Sequence, residues 1–257
     1  MIRKRLIPGV DADLLVRDAA RLLPDPARRT FLRSAASLGS LTLLTGCTVT
    51  DGVSAERLLR LISTFNDRVQ ARLFNPDRLA PSYGRADVTD PFPFNAFFPV
   101  EDAPEIEAAD WQLVIEGRAA DKTPWTLERL MTLPARTQIT EHVCIEGWSA
   151  IGEWSGPVLS DFLARIGADT GARYVAFRCE DRYSTTLDMP TALHSQTQII
   201  THFAGGVLPR AYGYPIKIRV PTKLGFKNPK WVNTMIITNE DLGGFWEDQG
   251  YNWFSGL

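Results

Sequence analysis

Hydrophobic and polar residues alternate in several short segments from Trp111 onward, a pattern typical of β-strands with one buried face. The clearest such segment is WQLVIEG, which ends at Gly117. Two segments instead show helical periodicity: TLERLMTLP, with Thr126 as the predicted N-cap, and GPVLSDFLARIG. Further strands are predicted in TQITEHVCI, ARYVAFRCED, TQIITHFAG, YPIKIRVPT and WVNTMIITN. Because short strands outnumber helices, the pattern predicts an α+β fold of several mixed β-sheets with short helices.

The start of the chain follows a different pattern. Arg28 and Arg29 precede Thr-Phe-Leu, and a small, apolar run from 34 to 46 then ends at Cys47. This run is shorter than the roughly 20 apolar residues that a membrane-spanning helix needs, and its basic start is typical of an export signal. We interpret residues 1–47 as a signal that resembles those of the Tat pathway and ends in a lipobox, in which Cys47 would carry a lipid anchor. The alternative is an amphipathic or buried helix that happens to contain two arginines.

Three further segments follow the predicted signal. Residues 48–90 are predicted to form a helix, from about Ala55 to Leu73, and a Pro-rich extended lead-in. Residues 91–242 hold the strands and helices of the folded domain. Residues 243–257, here called the C-terminal tail, are rich in aromatic residues. We expect the tail to pack over the domain rather than to bind a ligand.

The composition excludes some functions. The chain has 257 residues, a formal net charge of -2 and a sequence pI of about 6.0. A general nucleic-acid binder needs a concentrated excess of basic residues, so no nucleic-acid partner is expected. No GxGxxG or GxxxxGKS/T motif opens a predicted helix, which argues against a Rossmann dinucleotide site and a P-loop.

Cys144, at the end of the segment TQITEHVCI, is the cysteine with the most informative surroundings. It could be a buried apolar residue, half of a disulfide with Cys179, a nucleophile assisted by His142, or a metal ligand. A lone cysteine cannot form a closed zinc site, and the histidines have no HExxH spacing to complete one. A single thiolate does suit a metal whose other sulfur ligands come from an organic cofactor. The residues alone leave these alternatives open.

Two blocks of the sequence resemble known motifs. The residues CIEGW from Cys144 to Trp148, followed by WSG at 154–156, resemble the cysteine motif of the sulfite oxidase family of molybdopterin enzymes. The closest form is that of the catalytic subunits of periplasmic protein-methionine-sulfoxide reductases. The second block runs from Tyr212 through RVPTKLGFKNPKWV and is similar to the family pattern G-x-P-x-R-x-x-V-P-x-K-x-G-x-K-x-x-K. The resemblance covers roughly residues 90 to 240 and implies a sulfite oxidase-type molybdopterin-binding domain.

The resemblance also implies a single molybdenum-molybdopterin cofactor (Mo-MPT). Two sulfurs of the cofactor and the thiolate of Cys144 would bind the metal, which leaves an oxygen position for atom transfer. His202 would take the place of an active-site tyrosine as a second catalytic residue, whereas His142 and His194 are assigned no role. By position, the residues implied to contact the cofactor are Asn95, Phe98, Pro99, Cys179, Tyr212, Lys217, Asn228 and Lys230.

The chain departs from the sulfite oxidase pattern where the substrate would bind. A neutral Asn95 stands near the place of the arginine that holds the sulfite anion, and Lys217 replaces the usual arginine of the second block. We therefore expect an oxotransferase or reductase that acts on a sulfoxide-like or other neutral oxide, either a small molecule or a group on a protein. The alternatives are a molybdenum-dependent oxidase of a neutral substrate and a non-catalytic binding or electron-transfer lipoprotein with the same fold.

The sequence contains no CxxCH haem motif, so electrons must be exchanged with a partner. We expect this partner to be a membrane haem protein or a periplasmic cytochrome. A lipid anchor at Cys47 would help the two proteins to meet by confining their search to a surface. The expected location is the periplasm, with the chain held at a membrane after export through the Tat pathway.

Overall fold

The structure, a computed structural model, describes residues 55–257, with side chains from residue 61 onward. The predicted export signal, including Cys47, lies outside the described residues. Helix α1 spans Ala55–Leu73, where the sequence predicts a helix. None of the helices within 55–257 is long and apolar enough to cross a membrane.

Beyond α1, the described residues form three short α-helices and eleven β-strands. The helices are α2 (Leu127–Met131), α3 (Leu159–Arg165) and α4 (Met189–Ala192). The strands are β1 (Gln112–Gly117), β2 (Trp125–Thr126), β3 (Arg136–Val143), β4 (Ser149–Gly156), β5 (Tyr174–Cys179), β6 (Ser184–Asp188), β7 (Gln198–Ile200), β8 (His202–Phe203), β9 (Gly206–Val207), β10 (Lys217–Arg219) and β11 (Val232–Thr238).

A five-stranded mixed sheet in the order β2-β1-β11-β5-β6 carries the main hydrophobic core. β1 runs parallel to β11, whereas β5 is antiparallel to both β11 and β6. Leu113 and Phe177 of this sheet are fully buried in one cluster with Phe162 of α3. The predicted cap of α2 is confirmed, because Oγ1 of Thr126 accepts a hydrogen bond from the backbone N–H of Arg129.

The second sheet carries the cysteine motif at one end. Its order is β3-β4-β8-β9, and Val143 at the end of β3 lies opposite Ser149 at the start of β4. β7 and β10 pair in a separate two-stranded ladder. Gly156 lets β4 approach β7 closely, because a Cβ atom there would lie 1.9 Å from the carbonyl oxygen of Ile199. Arg219 of β10 in turn hydrogen-bonds to the backbone of Glu141 in β3, so the ladder supports the cysteine hairpin.

The structure contains four strands that the periodicity does not predict: β2, β4, β6 and β9. The buried positions of β4 are Ala150, Gly152, Trp154 and Gly156, so glycines stand where an alternating pattern would show large apolar residues. The segment TQIITHFAG, predicted as one strand, forms β7 and β8, which belong to different sheets. The other predicted helices and strands are confirmed.

Candidate functional site

Cys144 lies in the turn that joins β3 to β4. Its backbone N–H donates a hydrogen bond to the carbonyl oxygen of Trp148 at 2.9 Å, and the N–H of Gly147 donates to the carbonyl oxygen of Cys144 at 3.2 Å. Gly147 has a φ of +90°, a conformation that glycine adopts without a Cβ clash. The turn therefore holds Cys144 at the end of a hydrogen-bonded hairpin.

The thiol of Cys144 is buried, with 8% of the residue exposed. Burial raises the pKa of this thiol above its ordinary value, and the charge of Glu146, whose Oε2 lies 3.7 Å from Sγ, also raises it. A thiol with a raised pKa is a poor free nucleophile, whereas a bound metal ion would stabilise its thiolate. Cys144 and Cys179 are both free cysteines, which excludes the disulfide alternative.

Two cavities meet at Cys144. The first, of about 280 Å³, is bounded by Asn95 in the lead-in, the cysteine turn and the 3₁₀-helix Gly225–Lys227. The second, of about 540 Å³, is bounded by the cysteine turn and the C-terminal tail. Both cavities contact Cys144, Ile145, Phe226 and Tyr251, so Cys144 lies between two spaces that ligands could occupy.

Buried basic side chains surround His142, two residues before Cys144. Burial is the largest cause that lowers the pKa of the His142 imidazole, and the charges of Lys217, Arg219 and Lys230 lower it further. Lys217 is only 2% exposed, and burial, followed by the charges of Lys230 and Arg219, lowers the pKa of its ammonium group well below 10.5. Burial also lowers the pKa of Lys230, to about 7. This concentration of buried positive charge favours an anionic ligand.

His142, Lys217, Arg219 and Lys230 are here called the basic cluster, and Lys217 and Arg219 lie over the ring of Trp154. Several polar atoms of the cluster and of Trp154 have no hydrogen-bond partner among the described residues. They are Nδ1 of His142, Nε1 of Trp154 and Nε of Arg219, all shielded from solvent. The ammonium group of Lys217 lies 4.6 Å from the centre of the Trp154 ring and has no acceptor in the described part of the chain. Buried polar groups in native proteins are nearly always paired. The cluster therefore fits an anionic group that supplies the missing partners.

Three of the predicted cofactor contacts, Asn95, Asn228 and Lys230, line the first cavity. Nζ of Lys230 donates to the carbonyl oxygen of Asn95 at 2.5 Å, and Nδ2 of Asn95 lies 3.3 Å from Nε2 of His142. The side chain of Asn228 is already hydrogen-bonded within the chain, because its Oδ1 accepts from Nη1 of Arg219 at 2.8 Å. Asn228 therefore orients Arg219 in addition to lining the cavity.

The structure brings neither Phe98, Pro99, Cys179 nor Tyr212 to these cavities. Phe98 packs among aromatic side chains, and Pro99 is exposed. Cys179 is buried in the main core at the end of β5. The hydroxyl of Tyr212 donates to the carbonyl oxygen of Phe92 at 2.6 Å. The structure therefore gives these four residues no place in the walls of the two cavities.

His202, the second predicted catalytic residue, lies far from Cys144 in the same sheet. It pairs with Ser155 of β4, whereas Val143, the neighbour of Cys144, pairs with Ser149. The two positions on β4 are separated by six residues, which corresponds to about 20 Å along a strand. The register therefore does not support the expectation that His202 acts beside Cys144.

Sequence reasoning missed residues that the structure places at the site. His142 was assigned no role, although strand alternation already places it on the same side of β3 as the residue two positions later. Gly225 is required beside it, because a Cβ atom there would lie 2.6 Å from Nε2 of His142. Trp246 and Tyr251 of the C-terminal tail also line the first cavity. No local pattern relates the tail to a hairpin so distant in the sequence.

Comparison with known proteins gives matches along most of the chain. A family model described as oxidoreductase molybdopterin binding domain matches residues 100–246. The chain is 50% identical over 240 residues to the "Putative protein-methionine-sulfoxide reductase subunit YedZ1" of Azospira oryzae, covering 93% of this chain and 92% of the relative. It is 28% identical over 178 residues to the protein-methionine-sulfoxide reductase catalytic subunit MsrP of Ralstonia nicotianae, covering 58% and 54%. It is also 28% identical over 180 residues to the mitochondrial sulfite oxidase of Drosophila melanogaster, covering 59% and 31%.

Among solved structures, the crystal structure of the sulfane dehydrogenase SoxCD from Paracoccus pantotrophus matches with a TM-score of 0.51 and 21% sequence identity. The match covers 55% of this chain and 41% of that chain. At this identity the likeness concerns the fold alone. It agrees with the observed mixed sheets and short helices, so the predicted α+β fold of sulfite oxidase type is confirmed.

Proposed function

The chain belongs to the family of oxidoreductases with a molybdopterin-binding domain, and we propose that within this family it is an exported reductase of sulfoxide-like neutral oxides. As a member of the family it is a molybdenum cofactor-dependent oxidoreductase. The match to a protein named as a methionine-sulfoxide reductase subunit runs along nearly the whole length of both chains, and this supports a sulfoxide as the substrate.

The charge around the first cavity is the observation that carries the substrate proposal. Its lining includes two carboxyl groups, of Glu146 and Asp181, and one lysine, Lys230. The ammonium group of Lys230 already donates to the backbone of Asn95, and Lys217 does not line the cavity. With the cofactor bound, Lys230 would be paired with the phosphate of the pterin, so a sulfite anion would meet the two carboxyl groups without a cation of its own, which disfavours its binding. A neutral sulfoxide meets no such repulsion.

The residues of the site fit the cofactor of the family. Cys144 would bind the metal, and the buried ammonium groups of Lys217 and Lys230 would hold the phosphate of the pterin. Arg219, oriented by Asn228, adds to the positive charge of this region. When bound, the cofactor supplies two-electron chemistry coupled to the transfer of an oxygen atom. The chain itself holds the anionic parts of the cofactor by buried charge and fixes the sulfur ligand at the end of a hairpin.

The proposed reaction needs an electron donor. Reduction of a sulfoxide to a thioether consumes two electrons and two protons and releases one water molecule. The sequence has no CxxCH motif for a haem of its own. We propose a membrane haem protein or a periplasmic cytochrome as the partner that supplies the electrons.

We propose that the chain is exported through the Tat pathway and attached to a membrane by a lipid on Cys47. The paired arginines before the apolar run support export, and α1 supports a position at a membrane surface. Leu61 and Phe65, one helical turn apart on α1, are 61% and 65% exposed, so an apolar face is free to rest on lipid. Fatty-acid labelling of the parent and of Cys47→Ser tests the anchor. A labelled Cys47→Ser variant, or a parent that stays in the cytoplasm, would contradict the proposal.

The first test of the function is the molybdenum content of protein purified from a host that makes the cofactor. We expect about one metal atom per chain in the parent and loss of the metal, or an altered EPR signal, in Cys144→Ser. Cys179→Ser makes the same chemical change in the core, outside both cavities, and should retain the metal. The loaded parent should then oxidise reduced viologen when a sulfoxide is added.

Two other outcomes would favour the alternatives. A folded parent without molybdenum from a competent host would favour a non-catalytic binding or electron-transfer protein. A loaded parent that reduces an electron acceptor with a neutral substrate, but never reduces a sulfoxide, would favour an oxidase.

A further inference from the structure

The C-terminal tail forms one wall of the space at Cys144. Trp246 and Tyr251 line the first cavity, and Tyr251 also lines the second, together with the tail residues from 249 to 252. Tyr251 is 44% exposed, so this wall faces solvent as well as the cavities. A ligand that approaches Cys144 through the second cavity therefore passes the tail.

The wall is aromatic, and two of its polar side-chain atoms have no hydrogen-bond partner within residues 55–257. The ring centres of Trp246 and Tyr251 lie 5.1 Å apart, and that of Phe226 lies 6.2 Å from Tyr251. Phe245, next to Trp246, stacks on the ring of Phe97 at 4.7 Å. Neither the indole nitrogen of Trp246 nor the hydroxyl of Tyr251 makes a hydrogen bond to another described residue. The wall thus offers ring faces and edges, together with two donors that no other residue of the described part of the chain occupies.

Polar contacts hold the tail in place both before and after Tyr251 in the sequence. Before it, Glu247 pairs with the buried ammonium group of Lys227 at 2.5 Å. After it, the carboxylate of Asp67 in α1 accepts hydrogen bonds from the backbone N–H groups of Trp253 and Phe254, both at 2.9 Å. Charged acceptors make the stronger class of hydrogen bonds. The aromatic wall is therefore part of the ordered site rather than a loose end of the chain.

We propose that Trp246 and Tyr251 are specificity-determining residues that recognise the sulfur and its apolar substituents in the substrate. Sulfur of the thioether type makes favourable contacts with aromatic rings at about 5 Å, usually at the ring edge. The second cavity, of about 540 Å³ and free of the predicted cofactor contacts, has room for a sulfoxide carried on an aliphatic side chain, such as an oxidised methionine of a peptide. This inference rests on the proposed sulfoxide reductase function, and it names the part of the chain that selects the substrate.

The test compares loaded variants by steady-state kinetics with reduced viologen as the electron source. In Tyr251→Ala and Trp246→Ala the KM for a blocked methionine sulfoxide peptide should rise about three- to tenfold, with kcat changed less than twofold. Tyr251→Phe keeps the ring and should keep most of the affinity. Trp253→Phe is the matched control, because Trp253 lies in the same tail without lining either cavity at Cys144. A small sulfoxide such as dimethyl sulfoxide should be affected less than the peptide.

Calorimetric binding of the same peptide to the oxidised, loaded protein provides a readout that does not depend on turnover. Weaker binding to Tyr251→Ala, with parental binding to Trp253→Phe, would support the proposal. If the parent reduces the peptide and both alanine variants bind and reduce it equally well, the role of the tail is disproved while the proposed function stands. If the loaded parent neither binds nor reduces any sulfoxide, the proposed function itself fails.

Discussion

The ammonium group of Lys217 lies 4.6 Å from the centre of the Trp154 indole ring, in a part of the domain where both residues are almost fully buried. The ring stabilises the cation, but it cannot replace the hydrogen bonds that the ammonium group has lost from water. The charges of Arg219 and Lys230 add repulsion. Lys217 therefore destabilises the folded protein when no ligand is bound, and it contributes to binding once an anion pairs with its ammonium group.

Replacement of Lys217 by Met should separate these two effects. In protein made without the cofactor, Lys217→Met should unfold at the same or a higher urea concentration, with a gain of up to about 2 kcal/mol, because a buried unpaired charge is removed. In protein made with the cofactor, molybdenum per chain should fall, by roughly tenfold under dilution, because a charged contact is lost. Lys122→Met, at an exposed lysine, is the control. A Lys217→Met protein that keeps full metal content would contradict the phosphate-binding role.

Lys223 should make the stability of the protein depend on pH in the alkaline range. Burial lowers the pKa of Lys223 from 10.5 to about 7, although Asp188 and Asp67 oppose the shift, and Lys227 adds to it. Between these two values the unfolded chain binds more protons than the folded chain, so stability rises with pH through this window and is lowest below pH 7. We expect Lys223 to contribute about 2 kcal/mol to the stability that the parent gains between pH 7 and pH 9, in addition to the contribution of Lys230, whose pKa burial also lowers to about 7.

Urea denaturation of the parent and of Lys223→Met across this pH range measures the effect. The variant lacks the titrating group, so its stability should be higher than that of the parent at pH 7, and the difference should shrink as the pH rises. The same pH profile in parent and variant would show that Lys223 is not the group responsible.

Gly156 should be intolerant of any side chain. A Cβ atom there would lie 1.9 Å from the carbonyl oxygen of Ile199, and backbone cannot move aside as a flexible side chain can. Gly156→Ala should therefore cost about 3 kcal/mol and lower the Tm by roughly 5 to 10 °C. Gly206→Ala is the matched control, because the nearest atom to its Cβ would lie 3.8 Å away. Thermal unfolding followed by circular dichroism distinguishes the two, and equal Tm values would refute the packing argument.

Asp67, which is distant from the C-terminal tail in the sequence, should hold the tail in its ordered conformation. Its carboxylate accepts hydrogen bonds from the N–H groups of Trp253 and Phe254, so Asp67→Ala should speed amide hydrogen exchange in the tail by roughly tenfold. Exchange in the main sheet should not change. Asp77→Ala, at an exposed aspartate near the end of α1, serves as the control. Parental exchange of the tail in Asp67→Ala would show that other contacts hold it.

Much of the fold could be read from local patterns. The helix from Ala55 to Leu73, the cap at Thr126 and most strands follow from periodicity and short-range hydrogen bonds, which involve residues close together in the sequence. The periodicity did not predict β4 because two of its buried positions are Gly152 and Gly156 rather than large apolar residues. A side chain at Gly152 would collide with the Trp154 ring, and one at Gly156 would collide with the backbone of Ile199. A pattern within one segment carries no information about such a neighbour.

The candidate site likewise has features that the sequence predicts and features that it does not. The cysteine motif and the lysine-rich block identify the family and its cofactor, because each lies within a short continuous stretch with a fixed chemical purpose. The family resemblance implied that His202 takes the place of an active-site tyrosine, whereas the strand register separates His202 from Cys144. Tyr251, which no motif singled out, lines the first cavity because the hairpin, the 3₁₀-helix and the tail converge there. His142 lies next to this cavity, in contact with Asn95.

The sequence by itself determined most elements of this protein and its family, and it carries the proposal that Cys144 is the sulfur ligand, since these depend on contiguous residues and their local chemistry. Only the tertiary structure decided which distant side chains meet. It placed Lys217 over the ring of Trp154, without an acceptor among residues 55–257, and it brought the aromatic tail to Cys144 through a carboxylate on α1. Those arrangements depend on strand register and on packing between segments far apart in the chain, which no local pattern encodes.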